Sequence, residues 1–196
     1  MSKAEIWLVR HGETEWSLSG AHTSTTDIPL TERGRELAVE LKEYLKDTAF
    51  AEVLVSPMIR AQETCRIAGF GEQMQVEPNL MEWNYGEMEG KSTKTIREEL
   101  GQPGWDIWKD GVVGGEAVEA VGDRVDKVIA RALAAVPDGG KVALFAHAHV
   151  LRILAARWME LEAVNGRHLV LGTGSVSVLG FERETHVLVR WNRTFE

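Results

Sequence analysis

Ile6-Trp7-Leu8-Val9-Arg10-His11-Gly12-Glu13-Thr14 is the stretch from which the rest of this chain is read. Its first four residues form a short apolar run that reads as a buried strand, and a charged segment with a glycine follows at the strand's C-terminal end. The pattern recurs downstream. Val53-Leu54-Val55 is a second strand and is followed by Ser56-Pro57. Lys141–Phe145 is another, entered through Asp138-Gly139-Gly140 and followed by Ala146-His147-Ala148-His149.

Helical spacing fills the intervals. After the strand and motif, a polar loop runs through Ser19-Gly20 and Ser24-Thr25-Thr26-Asp27 to Pro29. Thr31 then serves as an N-cap, with Leu37, Leu41, Tyr44 and Leu45 on one helical face. Ser56-Pro57 reads as an N-cap with proline at the first helical position, placing Arg60 in the first turn. Val118, Val121, Val125, Val128, Ile129, Ala132 and Val136 predict a long amphipathic helix over Glu116–Val136. Leu151, Leu154, Ala155 and Trp158 predict another after His147. Two late strands, near Ser175–Phe181 and His186–Trp191, are joined by Glu182–Thr185 and predict an antiparallel hairpin. Residues 80–115 lack a long clean period and read as a cover or insertion, with a short helix near Thr93–Leu100. Alternating strands and helices imply an α/β class: a three-layer α/β/α sandwich with a mostly parallel sheet and an antiparallel edge. Ligands in such sheets bind beyond the carboxyl ends of the strands, where His11, Arg60 and His147 fall.

With 196 residues, 44% hydrophobic and 27% charged, the chain has the size and balance of one globular domain over residues 1–196. No apolar run is long enough to span a bilayer. Met1-Ser2-Lys3 passes at once into a strand-like run, so no signal peptide is read there. A single cysteine, Cys65, fits a reducing compartment and a cytoplasmic setting, and reads as a small buried hydrophobe on its helix. The formal charge of −8 argues against nucleic acid or an anionic membrane as partner, and leaves room for a small anionic substrate.

Phosphoryl transfer needs fixed cations around the non-bridging oxygens, an in-line nucleophile and an acid for the leaving group. Arg10 and Arg60 supply forked donors suited to phosphate, and His11 and His147 can act as nucleophile and charge stabiliser. Glu82, in Glu82-Trp83-Asn84-Tyr85-Gly86, is the candidate proton donor; partial enclosure by Trp83 and Tyr85 would favour its protonated form. Thr23 and Tyr85 are candidate substrate contacts, with His22 beside them, and His149 either lines the substrate pocket or bonds to backbone near the helix start. His147 and His149 have the spacing of a metal pair, but neighbouring arginines would repel a cation and no acidic or cysteine ligand accompanies them. No metal and no cofactor are therefore expected. His168 and His186 carry no motif and read as structural or exposed, and Trp105 and Trp108 as packing within the insertion.

Arg10–Thr14 resembles the signature of the histidine phosphatase superfamily, which includes cofactor-dependent phosphoglycerate mutases. The resemblance continues, in order, through Leu30-Thr31-Glu32-Arg33-Gly34, Ser56–Thr64, Glu82–Gly90, Gly114-Gly115-Glu116 and Phe145-Ala146-His147. It implies that His11 becomes phosphohistidine, that Arg10, Arg60 and His147 hold the phosphoryl oxygens, and that Glu82 acts as acid and then as base. Two positions depart from the family pattern. Ser17 stands where Asn is frequent, with a shorter hydroxyl reach to phosphate, and Ala148 stands where Gly is usual, offering only its backbone amide. Trp16-Ser17, Gly20-Ala21-His22-Thr23, Glu82-Trp83-Asn84-Tyr85-Gly86, Glu89-Gly90 and Ala146-His147-Ala148-His149 look most like the branch of acid phosphatases and sugar-bisphosphatases, sedoheptulose-bisphosphatase-type enzymes included. Mutases carry an adjacent arginine pair in the insertion, where this chain has Ile107-Trp108-Lys109-Asp110. The expectation is a metal-independent phosphatase of small phosphorylated metabolites. A mutase of the same fold and a non-catalytic phosphate-binding module are the rival readings. The late hairpin edge with Trp191 would suit either core packing or a homo-oligomer.

Overall fold

The computed structural model describes residues 3–195, so Met1 and Ser2 of the reading above lie outside the described residues. Six strands form one mixed sheet: β1 (Ala4–Arg10), β2 (Glu52–Val55), β3 (Met74–Val76), β4 (Gly140–Ala146), β5 (Val176–Glu182) and β6 (Thr185–Arg193). Their order is β3-β2-β4-β1-β5-β6. The first four in that order run parallel, and β5 and β6 pair antiparallel at the other end.

Alternation along the strands explains the layers. Ile6 and Leu8 on β1, with Val142 and Leu144 on β4, pack into one core; Trp7 and Val9, with Ala143 and Phe145, pack into the other. The first core is covered by α6 (Val118–Ala135) and α7 (Ala148–Trp158), the second by α2 (Glu32–Leu45) and α3 (Ile59–Cys65). On α6 the buried set Val121, Gly122, Val125, Val128 and Ala132 follows the 3.6-residue period. Each valine so buried contributes about 1.5–3 kcal/mol relative to an exposed one. This is the three-layer sandwich expected from the sequence, hairpin edge included. No described helix is long and apolar enough to cross a membrane.

Three local expectations need correction. α3 begins at Ile59 with Met58 as its N-cap, rather than at Ser56-Pro57. The reason is Asp27, whose Oδ1 accepts the Ile59 N–H at 2.8 Å and caps the helix from a distant loop. Arg60 nonetheless stays in the first turn. The segment after Thr14 opens with a short helix, α1 (Glu15–Ser19), because Thr14 and Ser17 form a reciprocal capping box. β3 was not foreseen: it is a three-residue edge strand, largely exposed, with no apolar run to mark it. Thr31 caps α2 as expected, accepting the Gly34 N–H at 3.0 Å. The segment 80–115 folds into short pieces, among them α4 (Thr93–Leu100) and α5 (Ile107–Asp110).

Sheet register brings the distant motifs together. Arg10 lies opposite Ala146 in the β1–β4 pair, so His11 and His147 follow adjacent strand ends. Val55 lies opposite Phe145, which sets Ser56 beside them.

Candidate active site

His11 lines a cleft of roughly 730 Å³ at the carboxyl end of the sheet. The cleft also exposes Arg10, Ser17, Thr23, Glu82, Tyr85, Ala148 and His149, all singled out from sequence. His11 Nδ1 bonds the Gly12 carbonyl at 2.7 Å; as a carbonyl only accepts, Nδ1 carries the proton and Nε2 keeps a free lone pair. Burial, then the charges of Arg60 and Arg10, hold His11 well below the ordinary histidine value of 6.5, against the opposing effect of the Gly12 bond. The imidazole is thus neutral and nucleophilic at neutral pH.

The His11 loop is gripped by backbone contact. A β-carbon on Gly12 would meet Gly34 O at 2.3 Å, and one on Gly34 would meet Glu13 O at 2.2 Å. Only glycine fits either place. The Gly12 N–H donates to Thr64 Oγ1 at 3.0 Å, tying the loop to α3.

Arg10 donates from Nη1 to the Leu171 carbonyl, while its buried Nε has no hydrogen-bond partner among the described residues. An orphaned guanidinium donor beside His11 fits an anionic oxygen. Burial is the main cause lowering the Arg10 guanidinium to about 10, which still leaves it charged at neutral pH. Arg60 is fully buried. Its Nε donates to His147 Nδ1 at 3.1 Å, Nη1 to Thr26 O at 3.1 Å, and Nη2 to Thr23 O and Ser24 O at 3.1 Å each. One Nη1 hydrogen is left over.

Arg60 and His147 are buried and do not line the open cleft. The two histidine rings are 5.1 Å apart between centroids. Because Arg60 Nε can only donate, His147 accepts at Nδ1 and carries its proton on Nε2, which reaches Ser56 Oγ at 2.7 Å. Burial and the Arg60 charge keep His147 well below 6.5.

Glu82 is 4% exposed, with the enclosure expected from its aromatic neighbours. It also accepts three backbone N–H groups, from Trp83 at 2.9 Å, His149 at 3.0 Å and Val150 at 2.8 Å. It therefore closes the N-terminus of α7, with Oε1 taking two of the three N–H groups and Oε2 one, contacts that enclosure alone does not foresee and that leave Oε2 a position for a proton. Tyr85 and His149 share a 2.6 Å hydrogen bond. Burial, reinforced by Glu82, pushes the Tyr85 phenol well above its usual 10, and burial with Arg152 holds His149 well below 6.5. Both remain neutral. Trp83 and Trp108 meet His149 edge-on at 5.9 and 5.1 Å, forming an aromatic wall. The Ser17 hydroxyl donates to Thr14 O at 2.8 Å and so sets the turn.

Several residues of the site carry no signal that sequence reasoning used. Arg97, Lys109, Arg167 and His168 line the outer cleft, and none stands in a motif. Trp108 lines it too, beyond its role in packing. Glu89, within the quoted Glu82–Gly90 block, holds the loop that faces Arg60: its carboxylate accepts from Ser24 N at 2.9 Å and Thr26 N at 3.0 Å. Ser56, at the cap position that the Ser56-Pro57 pattern suggests, is instead the partner of His147. His186 stacks on Trp158 at 4.2 Å, a structural role. Cys65 is buried, and burial raises its thiol to about 12, so it is inert.

The profile of the histidine phosphatase superfamily (branch 1) matches residues 6–194. An acid phosphatase of Mycobacterium tuberculosis is 36% identical over 179 residues, covering 90% of this chain and 86% of that protein. A sedoheptulose 1,7-bisphosphatase of Saccharomyces cerevisiae is 32% identical over 181 residues, covering 79% and 67% respectively. A solved structure of a Mycobacterium tuberculosis open reading frame superposes with TM-score 0.89 at 34% identity, over 97% of this chain and 98% of the other. The chain belongs to the histidine phosphatase superfamily, branch 1. Within it, the chain is a phosphatase acting on phosphoric monoesters.

Proposed function

We propose that the chain hydrolyses small phosphorylated metabolites, sugar phosphates among them, through a phosphohistidine on His11 and without a metal ion. The observation that carries this reading is the state of His11: neutral, Nδ1 committed to Gly12 O, Nε2 free, under the charges of the buried Arg60 and the half-buried Arg10. Nε2 attacks phosphorus and the ester P–O bond breaks, while Glu82 passes a proton to the departing oxygen. Water then attacks the phosphohistidine, losing a proton to Glu82, and the N–P bond breaks to release inorganic phosphate. Arg10 Nε and the remaining Arg60 Nη1 hydrogen receive phosphoryl oxygens; His147 does so by exchanging its bond to Ser56. Two guanidinium groups supply the charge stabilisation that a cation gives in other phosphatases.

The cleft is far larger than a phosphate, so most of it receives the leaving group. Thr23, Tyr85, the Ala148 backbone and His149 form its inner wall, where they contact that group, and Ser17 shapes the turn beside the phosphate. The relatives named acid phosphatase and sedoheptulose bisphosphatase support hydrolysis of such esters. Phosphate release from sugar phosphates, phosphoglycerates and p-nitrophenyl phosphate under EDTA tests the reading, with acid-quench trapping of labelled phosphate on protein. His11→Ala should abolish both turnover and trapping. Trapping that survives the substitution would refute the assignment, and interconversion of phosphoglycerates without release would favour a mutase.

A further inference from the structure

Arg124, on the first half of α6, has all five guanidinium hydrogens engaged. Nε donates to Glu116 Oε1 at 3.0 Å. Nη1 donates to the carbonyls of Asn79 at 2.6 Å and Met81 at 2.7 Å. Nη2 donates to the carbonyl of Glu82 at 3.1 Å and to Glu116 Oε2 at 3.2 Å. The side chain is 13% exposed. Glu116 completes the grip from the other side. Its Oε2 accepts the Asn84 N–H at 2.9 Å, its own N–H donates to Asn84 O at 3.0 Å, and its carbonyl accepts Trp83 Nε1 at 2.8 Å.

Residues 81–85 form no helix or strand, so no ladder of their own fixes Glu82. The carboxyl itself is held by the N–H groups of Trp83, His149 and Val150, and the Glu82 carbonyl accepts the Ser24 hydroxyl at 3.1 Å; the backbone on either side, at positions 79, 81, 82 and 84, is reached by this pair. A planar fork with its donors saturated is a rigid device, and replacing it leaves several half-buried carbonyls without partners. We propose that Arg124, locked by Glu116, is the positioning residue of Glu82: it sets the peptide from which the carboxyl reaches the leaving oxygen. This rests on the reading of Glu82 as acid given above.

The test is kcat/KM across a series of aryl phosphates of graded leaving-group acidity, with an alkyl phosphate at the demanding end. This parameter covers steps up to departure of the leaving group, and poor leaving groups need the acid most. Glu82→Gln should steepen the dependence, losing about 10²–10⁴-fold on the alkyl ester and little on p-nitrophenyl phosphate. Arg124→Lys should steepen it in the same sense, by about 10–100-fold on the alkyl ester, since a displacement near 1 Å has that effect. Glu116→Gln, which keeps the volume but turns one of the two acceptor oxygens into an amide donor facing Arg124 or Asn84, should steepen the dependence in the same sense as Arg124→Lys, and carries the test should the lysine variant not fold. A uniform loss along the series reports a structural defect only and overturns the proposal, as does no loss. If Glu82→Gln is steep and the Arg124 and Glu116 variants are flat, the positioning role alone fails. A flat Glu82→Gln overturns the acid assignment and this inference with it.

Discussion

Replacing Gly34 by alanine puts one methyl group where two backbones meet, and its effect is read at His11, 23 positions earlier (34 − 11). The new β-carbon would stand 2.2 Å from Glu13 O and 2.9 Å from Glu13 N. Relief to even 3.0 Å requires the His11 loop and α2 to part by about 0.8 Å (3.0 − 2.2). Neither side is soft. Thr31 N donates to Glu13 O at 3.0 Å, Thr31 Oγ1 reaches Glu13 Oε1 at 2.8 Å, and Gly12 N is held by Thr64. Overpacking of this kind costs about 1–3 kcal/mol of stability. A shift approaching 1 Å at the nucleophile costs on the order of 10²-fold in rate. Urea unfolding reads the first quantity and kcat/KM for p-nitrophenyl phosphate the second. A Gly34→Ala enzyme within about threefold of wild type in kcat/KM would show that the loop is not clamped as described.

Stability should fall in acid because three histidines are held neutral. His11, His147 and His149 all sit well below 6.5 in the folded chain, chiefly through burial. The unfolded chain then binds more protons below 6.5, so their contribution is whole above that pH and drains away as pH falls towards the folded values. The slope is at most about 1.4 kcal/mol per pH unit for each histidine. Urea midpoints across this window should show it, and a His149→Gln variant with an undiminished slope would count against the account. Glu89→Gln should lower kcat/KM about tenfold by loosening the Ser24–Thr26 carbonyls around Arg60, without loss of secondary structure by circular dichroism. Dialysis against EDTA should leave phosphate release unchanged; a loss reversed by a divalent cation would show a metal requirement.

Legibility in the sequence followed the strength of local signals. The β1 and β4 runs, the α6 period and the Thr31 cap were plain, because each is written in contiguous residues. β3 was invisible, being three residues held at the edge by pairing with β2 alone. The start of α3 was misplaced because its cap, Asp27, comes from a loop 32 residues earlier (59 − 27). In the site, motif residues could be named, but not which atoms faced the cleft. Arg60 and His147 turned inward through partners supplied by carbonyls and by Ser56, which no spacing rule encodes. The outer cations Arg97, Lys109 and Arg167 arrive from three separate segments and gain meaning only from their shared wall.

The pairing of Arg10 with Ala146 has a kinetic consequence. His11 and His147 are separated by 136 positions (147 − 11), and they meet only when β4 has slotted between β1 and β2. Closing so long a loop before the parallel ladder rewards it is slow. Helices such as α6 can form well before that event, so recovered helicity should precede recovered turnover during refolding. Catalysis in this chain is thus a late reporter, switched on by the insertion of one central strand.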